Sequence, residues 1–541
     1  MAMTNLPARI SAGLARLHLS FIDVILIIFP CALLLQIPMD PDLGWHLRVG
    51  QDIWRGIFPF EDIYTWSMPG HAWVDHEWLT NAVMYQAYRI GGLIGQSLPF
   101  FIICLAAYIV AARTGALIGR HLPGTAPLTN KAGWQLSLGL VTVGLLVNAG
   151  IIGGRAQMIT LFGFALVNYL LWQYLLGERR NLWVMIVVFW LWANTHAGFI
   201  IGLATVGLAL GLLLVARFIP ALQSQGDSEK STFPFGLIRR DDYRRMFRHV
   251  LLVLVVSVLA TLINPYTWRL YEEAIRTSLD SYARANIVEW LPVSMQNPIG
   301  ILIFAFTFLF VWWLLWRRKY FSAWHLLLMP VFFYLGMSSN RHTALLVLFM
   351  LPWVYLAASA EPEVRQFLEK KVDRFFGLHK GNRLYYTYNI ALALVPLVLL
   401  AFRGALWVNT STDPGQLAER AGFPTKAVQF LAARDNRANR ENEKLLNDYN
   451  WGGYLIWNLP DYKVYIDGRM ASWRGEKYIY KEYNQITALE PSWLDLLDAN
   501  KVTLVLMPRE SNLSNVLRYI PAYTIVYEDD VATIFEHKPL N

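Results

Sequence analysis

Apolar residues recur along the first 400 positions of the chain in blocks of about twenty, separated by short polar segments. A helix of about twenty apolar residues spans the hydrocarbon core of a bilayer. The pattern therefore predicts an α-helical polytopic membrane protein with about eleven transmembrane helices. The predicted spans are residues 21–37, 97–117, 134–152, 157–176, 182–194, 197–216, 250–263, 298–316, 323–338, 343–358 and 387–402.

Basic residues are concentrated in alternate loops between these spans, and loops rich in Lys and Arg face the cytoplasm. The N-terminus is therefore expected inside the cell and, with an odd number of spans, the C-terminus outside. The net charge of +8 then reflects orientation, and no nucleic-acid partner is expected. We expect the first apolar block to be a retained span, since no small-residue cleavage site clearly follows it. The basic loops contain Arg113, Arg120 and Lys131; Arg179 and Arg180; the run 217–248; Arg317, Arg318 and Lys319; and the run 365–383.

From residue 403 onward the composition is that of a soluble domain. Strands are predicted at KLLND, KVYIDG, VTLVLM, YTIVYE and VATIF, with helical stretches between the first three and a hairpin at 528–530. This alternation predicts a C-terminal soluble α/β domain with a mostly parallel sheet. The predicted division is a membrane domain over 1–402 and an extracytoplasmic domain over 403–541. Because a glycine-rich phosphate fingerprint is absent, nucleotide binding is not assigned.

The unusual polar residues fall in the loops assigned to the outer side, above all in a long first outer loop over 38–96. If Asp42 begins a short helix, His46 lies one turn away. Pro69-Gly70 fits a type II turn that would return the second half of the loop to the first. We expect a site shared among several outer loops. Its candidates are Asp40, Asp42, Trp45, His46, Asp75, His76, Glu77 and Trp78 in the first loop, and Arg155, Gln157, His196, Glu289, Arg341 and His342 in later ones.

Two interpretations of Asp40 and Asp42 remain open. Asp is favoured at helix N-caps and near the positive end of the helix dipole, so the pair would begin and cap an interfacial helix. Alternatively, one of them is a general base, because loss of water at the lipid boundary raises the pKa of a carboxylic acid toward the range that a base needs.

The other candidates also have two interpretations each. The outer histidines would gather with carboxylates around a divalent ion, or would each be hydrogen-bonded boundary residues. Arg155 and Arg341 would clamp a phosphate, or would extend to lipid headgroups. The Asp75-His76-Glu77 run lacks the spacing of a zinc protease. Trp66, Trp73, Trp78 and Trp290 fit an interfacial belt, although an aromatic platform for a sugar remains an alternative.

Three segments resemble the GT-C class of membrane glycosyltransferases, which includes protein O-mannosyltransferases, aminoarabinose transferases and oligosaccharyltransferases. They are D-x-D-x-x-W-H at 40–46, H-E-W at 76–78 and G-G-Y…D-G-R between 452 and 469. The resemblance is greatest to bacterial members. It implies a multi-pass protein of the bacterial inner membrane whose C-terminal domain is periplasmic.

The resemblance also implies transfer of a hexose or pentose from a polyprenyl-phosphate carrier to a glycan, lipid or protein acceptor on the outer side, with inversion. Asp42 is then the first choice of base and Asp40 the second. The arginines, with His342, would hold the leaving phosphate, and Glu77 would position the acceptor or an ion. No cofactor is certain, and a divalent metal ion is the candidate. Two classes compete: a transporter or flippase of a lipid-linked sugar or small solute, and a non-catalytic envelope scaffold.

Overall fold

The computed structural model describes residues 21–35, 39–121, 128–218, 242–316, 323–372, 383–412, 414–434 and 443–538. The basic residues at 317–319 lie outside the described residues, as do Lys230, Arg239 and Arg240 of the run 217–248 and Arg374 and Lys380 of the run 365–383. The structure divides into two compact units, which consist of the described parts of 1–36, 99–265 and 288–407, and of 37–98, 266–287 and 408–541.

The chain is mostly helical. In sequence order, the helices before the C-terminal region are α1 (Phe21–Leu34), α2 (Leu43–Trp54), α3 (Trp78–Arg120), α4 (Asn130–Val147), α5 (Gln157–Leu175), α6 (Val184–Ala193), α7 (Phe199–Phe218), α8 (Asp242–Thr261), α9 (Arg269–Leu279), α10 (Ser281–Asn286), α11 (Pro298–Trp316), α12 (Ala323–Ser338), α13 (Thr343–Ala360), α14 (Pro362–Gln366) and α15 (Arg383–Thr412). Single 3-10 turns occur at Val288–Trp290 and Asn340–His342, and a π-helical turn at Phe367–Lys371.

Every predicted apolar block coincides with one of these helices. In the described part of the chain, five helices are long and apolar enough to cross a membrane, and four shorter apolar helices accompany them. The first of the five, α3, contains a break at Gly91 and Gly92, where Gly92 has a φ of +59° that favours glycine. The break separates the end of the first outer loop from the apolar stretch that begins near residue 97.

The membrane-type unit is held together by close helix packing and a few polar contacts. The side chain of Gln135 on α4 donates a hydrogen bond of 2.9 Å to the buried Asp23 carboxylate on α1. Gly163 on α5 and Gly202 on α7 both lie against the indole of Trp192, where a larger residue would collide with it. Such small residues allow helices in a membrane to approach closely.

The remaining elements belong to the C-terminal region. They are α16 (Pro414–Arg420), α17 (Thr425–Ala433), β1 (Leu445–Asn447), α18 (Gly452–Asn458), α19 (Ile479–Thr487), α20 (Trp493–Asn500), β2 (Leu504–Pro508), α21 (Asn512–Leu517), β3 (Tyr523–Glu528) and β4 (Ala532–His537), with 3-10 turns at Tyr449–Trp451 and Gly468–Ser472. The predicted hairpin is confirmed, because β3 and β4 pair antiparallel on either side of residues 529–531.

The prediction of a mostly parallel sheet is wrong. The sheet has the order β1-β2-β4-β3, and only β1 and β2 are parallel. The returning strand β4 lies between β2 and β3, so two of the pairings are antiparallel. The segment KVYIDG does not join this sheet, and Val464 forms single bridges to Leu445 and Thr65 instead. The Asn447 side chain accepts the Tyr465 N–H at 2.8 Å and donates to the Ile466 carbonyl at 2.8 Å, in place of ladder hydrogen bonds.

The described part of the first outer loop lies in the same compact unit as the C-terminal α/β domain. Trp45 and Val49 of α2, together with Tyr64, Met68 and Trp73, share a buried core with the residues of the sheet. Trp66 donates its indole N–H to the Leu445 carbonyl at 3.0 Å. Trp66 and Trp73 therefore pack against the α/β domain, a contact that the interfacial belt predicted from the sequence did not include.

Candidate functional site

Asp42 stands at the start of α2, directly after the first apolar helix and a short connection. As a whole residue Asp42 is half-buried. Burial, followed by the neighbouring Asp40 charge, raises the pKa of Asp42 to about 6, and Asp467 adds to the increase. His46 and the Trp45 indole act in the opposite direction, although the indole geometry falls short of a hydrogen bond to any described residue. This carboxyl group is thus ionised at neutral pH and remains basic enough to accept a proton.

Asp40 and Asp42 differ in their contacts with the start of α2. Asp40 accepts the backbone N–H of Asp42 at 2.9 Å and so stabilises the turn into α2. Among the described residues, the Asp42 side chain accepts no capping hydrogen bond from the first turn of this helix. The capping interpretation therefore gives no reason for an aspartate at position 42, whereas Asp40 has a structural role in the turn.

The predicted return of the loop is confirmed. Gly70 has a φ of +70° and the His71 N–H donates to the Met68 carbonyl at 3.2 Å, as in a type II turn. The segments on either side pair through Glu61 and Ala72. This turn, with the helix start at Trp78, brings the second polar cluster of the loop back to α2.

The returned cluster surrounds the imidazole of His46. The Nδ1 atom of His46 lies 2.6 Å from the side-chain carbonyl of Asn81, whose amide N–H donates to Asp75 at 2.9 Å. Because that carbonyl only accepts, Nδ1 carries the proton and neutral His46 has an unprotonated Nε2. Glu77 is 3.6 Å from the same Nδ1. The His46 ring is therefore held by Asn81 rather than by Asp42.

The second cluster contains two shifted groups. Burial raises the pKa of Asp75 to about 6, although His76 and hydrogen bonds from Glu77 and Asn81 oppose the shift. Burial lowers the pKa of His76, but the hydrogen bond and charge of Glu77, at 3.5 Å, and the charge of Asp75 outweigh it, so the net pKa is raised.

The later outer loops build a cationic cluster in the other unit. Arg155 forms an ion pair with Glu289, and Arg341 lies over the Trp290 ring with its guanidinium carbon 5.4 Å from the centroid. Burial opposes ionisation of Glu289, but the charges of Arg155 and Arg341 hold its pKa below the usual value. Two arginines that are far apart in sequence therefore act on one carboxylate.

Helix starts lie beside both arginines. Arg155 directly precedes α5, whose N-cap Ala156 offers no side-chain cap, and Arg341 directly precedes α13. Gln157, the first residue of α5, donates to the Arg341 carbonyl at 2.9 Å and connects the two starts. Helix N-termini attract anions through their unpaired amides and dipole. Together with two guanidinium groups, this arrangement suits a phosphate.

The remaining candidates predicted from the sequence each have aromatic or hydrogen-bonding contacts of their own. His342 lies edge-on to Trp290, with ring centroids 6.4 Å apart. Trp78 packs on Phe58 at the start of α3. Trp45 lies against the His46 ring, with centroids 3.6 Å apart. His196 is buried, and its Nδ1 bonds the Thr160 hydroxyl at 2.7 Å and accepts the Gly198 N–H at 3.0 Å, an arrangement that itself explains the histidine.

In the described part of the chain, no group of three or more His, Cys, Asp or Glu side chains is arranged to hold a metal ion. His46 and His76 belong to one unit, and His196 and His342 belong to the other. These residues do not fit the ion-binding arrangement considered from the sequence, and we derive no step through a metal.

Sequence reasoning missed several residues that shape the first cluster. Asn81 lies one helical turn after Glu77, a spacing that gave a weak signal for its position below His46. Arg469 and Gly468 stood out in the D-G-R segment but had no assigned role. In the structure, Arg469 is buried and pairs with Asp467 at 2.7 Å and with Asp62 at 3.1 Å.

Comparison with solved structures shows which proteins share this architecture. The oligosaccharyltransferase AglB from Archaeoglobus fulgidus, in complex with an inhibitory peptide and a dolichol-phosphate, matches 96% of this chain and 74% of its own, with 11% identity and a TM-score of 0.52. ArnT from Cupriavidus metallidurans in the apo state matches over 97% and 98%, with 13% identity and a TM-score of 0.48. No protein-family model and no curated protein matches the chain.

At this identity the likeness shows the fold: the chain has the GT-C fold, which it shares with enzymes that use polyprenyl-phosphate-linked sugars. It is a multi-pass, mostly helical membrane protein with a small mixed sheet near its C-terminus. A fold alone does not define a reaction. Any activity depends on the residues of the first-loop cluster around Asp42 and of the cationic cluster of Arg155 and Arg341.

Proposed function

We propose that the protein is an inverting glycosyltransferase that moves a hexose or pentose from a polyprenyl-phosphate carrier to an extracytoplasmic glycan, lipid or protein. The observation that carries the proposal is Asp42: it is half-buried, has a pKa of about 6 and caps no helix. A desolvated carboxylate is costly unless it has a chemical use.

In the proposed reaction, Asp42 accepts the proton of the acceptor hydroxyl. The hydroxyl oxygen then forms a bond to the anomeric carbon of the sugar, and the bond between that carbon and the carrier phosphate breaks. The electron pair of the broken bond leaves with the phosphate. A single displacement from the face opposite the phosphate inverts the anomeric configuration. With a pKa of about 6, roughly nine in ten Asp42 side chains are ionised at pH 7.

We assign the phosphate to the cationic cluster. Arg155 and Arg341 supply guanidinium donors, and the N-termini of α5 and α13 supply a positive dipole. Negative charge that develops on the leaving phosphate is stabilised by such preorganised donors. The dolichol-phosphate named with the archaeal oligosaccharyltransferase supports this class of donor for the present chain. In this proposal Glu289 holds the two arginines until the anion takes its place.

The proposal places the protein in a bacterial inner membrane with eleven spans, the N-terminus in the cytoplasm and the α/β domain in the periplasm. A carrier with a long polyprenyl chain remains in the bilayer, so a site at the membrane boundary suits it. The membrane lipids and the lipid-linked sugar are then the constant partners, and the acceptor is on the outer side.

The test is mass spectrometry of envelope glycans, glycolipids and glycoproteins from cells with the wild-type protein, with no protein and with the Asp42→Asn variant. We expect a sugar-bearing product that is absent in the last two. A product that persists with Asp42→Asn but not without the protein would transfer the role of base to Asp40 or Glu77. A product that persists with Asp40→Asn and Glu77→Gln as well would favour transport or a scaffold role. No difference between wild type and deletion would contradict the proposed function.

A further inference from the structure

The D-G-R segment of the α/β domain lies directly against Asp42. A Cβ atom built on Gly468 would be 1.9 Å from Oδ1 of Asp42, 2.8 Å from Cγ and 3.1 Å from Oδ2. All three of its nearest atoms therefore belong to that one carboxyl group. Only a residue without a side chain leaves room for the carboxylate in its observed position.

Two more glycines bring the helix of Asp42 and the α/β domain together. A Cβ on Gly453 of α18 would be 2.4 Å from the Pro41 carbonyl oxygen and 3.4 Å from Cα of Asp42. A Cβ on Gly44 of α2 would be 2.1 Å from the Gly453 carbonyl oxygen. Because both contacts involve main-chain atoms, neither is relieved by rotation of a side chain. The start of α2 is thus packed backbone to backbone on α18.

The segment that contains Gly468 is itself firmly held. Arg469 donates from Nε and Nη2 to the two oxygens of Asp467, at 2.8 and 2.7 Å. Its guanidinium group also lies over the rings of Trp73 and Trp473, 4.7 and 5.2 Å from their centroids. A bidentate pair packed against two indole rings has little freedom, so the main chain at Gly468 is firmly held.

We propose that Gly468 is a positioning residue, and that the α/β domain completes the catalytic centre by seating the Asp42 carboxylate. This inference rests on the proposed role of Asp42 as base. The domain is then part of the catalytic machinery itself, rather than a separate module that only captures the acceptor. The D-G-R segment has two connected tasks: Arg469 fixes the turn, and Gly468 leaves the space that the carboxylate fills.

The decisive variant is Gly468→Ala in the full-length protein. The methyl group displaces the carboxylate, and a displacement of about 1 Å is sufficient to cost roughly a hundredfold in rate. We expect product to fall at least tenfold, with the variant present in normal amount. The matched control is Gly475→Ala in the same domain, where the new Cβ would make an ordinary 3.4 Å contact with Met68.

A second readout does not depend on transfer. A hydrophobic carbodiimide labels protonated carboxyl groups, so the pH midpoint of labelling at residue 42, followed by peptide mass spectrometry, reports the pKa of Asp42. Burial, Asp40 and Asp467 raise this pKa and His46 lowers it. In Gly468→Ala we expect the midpoint to move to lower pH as the carboxylate is pushed toward water. The Gly475→Ala midpoint should match wild type.

The outcomes separate this inference from the proposed function. If Gly468→Ala makes as much product as wild type and has the same labelling midpoint, Gly468 does not position the Asp42 carboxylate. That result would leave the proposed glycosyltransferase function unaffected. Full activity in Asp42→Asn would show that Asp42 is not the base. A shifted labelling midpoint in Gly468→Ala would still support the contact between Gly468 and the Asp42 carboxylate. If Gly468→Ala fails to accumulate, the double variant Asp42→Ala/Gly468→Ala should restore the protein, because the colliding carboxylate is gone. Failure to restore it would count against the contact.

Discussion

Asp42 and Asp40 are two residues apart, yet the structure gives them different roles. Asp40 accepts a backbone hydrogen bond that any helix start needs, whereas Asp42 is desolvated beside a second carboxylate and has a raised pKa. Desolvation and a like charge both disfavour the ionised form, so position 42 costs stability at neutral pH. At the residue scale, this difference is the reason for proposing Asp42, rather than Asp40, as the base.

Replacing Asp42 by Asn keeps the shape of the side chain and removes its basicity. We expect transfer to fall by about a hundredfold or more, the usual scale for a lost general base, with protein amount unchanged. Asn caps helices as well as Asp does, so a capping role predicts full activity. Product yield in membranes that contain equal amounts of the two proteins checks this. Full activity in Asp42→Asn would transfer the role to Asp40 or Glu77.

The pH dependence of transfer should show the raised pKa. A base must be ionised, so the rate should fall as pH decreases through about 6, whereas an ordinary aspartate would remain active down to about 4. Asp75 has a pKa raised to the same range, which makes Asp75→Asn the matched control. The acid limb should persist in that variant. Its loss there would assign the titration to Asp75 instead.

The cationic cluster predicts a difference between arginine and lysine. Lys keeps the charge but not the bidentate geometry, so Arg155→Lys and Arg341→Lys should each weaken binding of undecaprenyl phosphate by roughly tenfold. Titration of the purified protein with that lipid phosphate measures the effect. Arg180→Lys, in a basic loop assigned to the cytoplasm, is the control. Equal binding in all four proteins would indicate that the arginines contact headgroups non-specifically.

At the element scale, the first loop and the α/β domain depend on one buried cation. Arg469 connects Asp62 of the loop with Asp467 of the domain, and the three charged groups are almost fully buried. The Thr65 N–H donates to Asp62 at 3.0 Å, so the loop side of this contact is also ordered. The packing of α2 against α18 thus has an electrostatic anchor as well as close glycine contacts.

Removing that cation should be far more costly than removing a surface one. Arg469→Ala leaves two buried carboxylates without their partner, a change that typically destabilises by about 3–5 kcal/mol. Arg509 pairs with the exposed Asp530 at 3.4 Å, and the loss of this surface arginine should cost about 0–1 kcal/mol. Thermal unfolding of the detergent-solubilised proteins compares them. Equal losses of stability would show that Arg469 is not the anchor.

At the scale of the whole molecule, the membrane orientation decides which loops meet the acceptor. The positions of the basic residues predict which loops face the cytoplasm, and both polar clusters lie in loops predicted to face the other side. In the described part of the chain, five helices have the length and apolar character of a span by themselves, and shorter apolar helices accompany them.

Cysteine labelling from outside intact cells tests this orientation. With Cys31 and Cys104 replaced by Ala, we expect Glu61→Cys and Glu510→Cys to react with an impermeant maleimide. Arg180→Cys should react only after the membrane is opened. All three positions lie in the described loops, at sites other than the proposed catalytic residues. Labelling of position 180 in intact cells would contradict the proposed orientation, and with it the proposal that the reaction takes place on the periplasmic side.

The sequence by itself determined the features that depend on neighbouring residues. Each apolar block became a helix, because backbone groups in an apolar stretch are satisfied within the helix itself. The turn at Pro69-Gly70 and the hairpin between β3 and β4 followed from turn chemistry within a few residues. The candidates Asp42, Arg155 and Arg341 were visible for a similar reason, since a charged residue next to an apolar block has few local explanations.

Only the tertiary structure decided what depends on pairing between distant segments. The position of β4 between β2 and β3 reflects which strand edges meet, and no local pattern in the strands specifies that order. In the same way, Gly468 lies some 400 residues from Asp42, and its missing side chain matters only because the two backbones touch. The shared influence of Arg155 and Arg341 on Glu289 also required the folded loops, since each arginine alone is equally suited to a lipid headgroup.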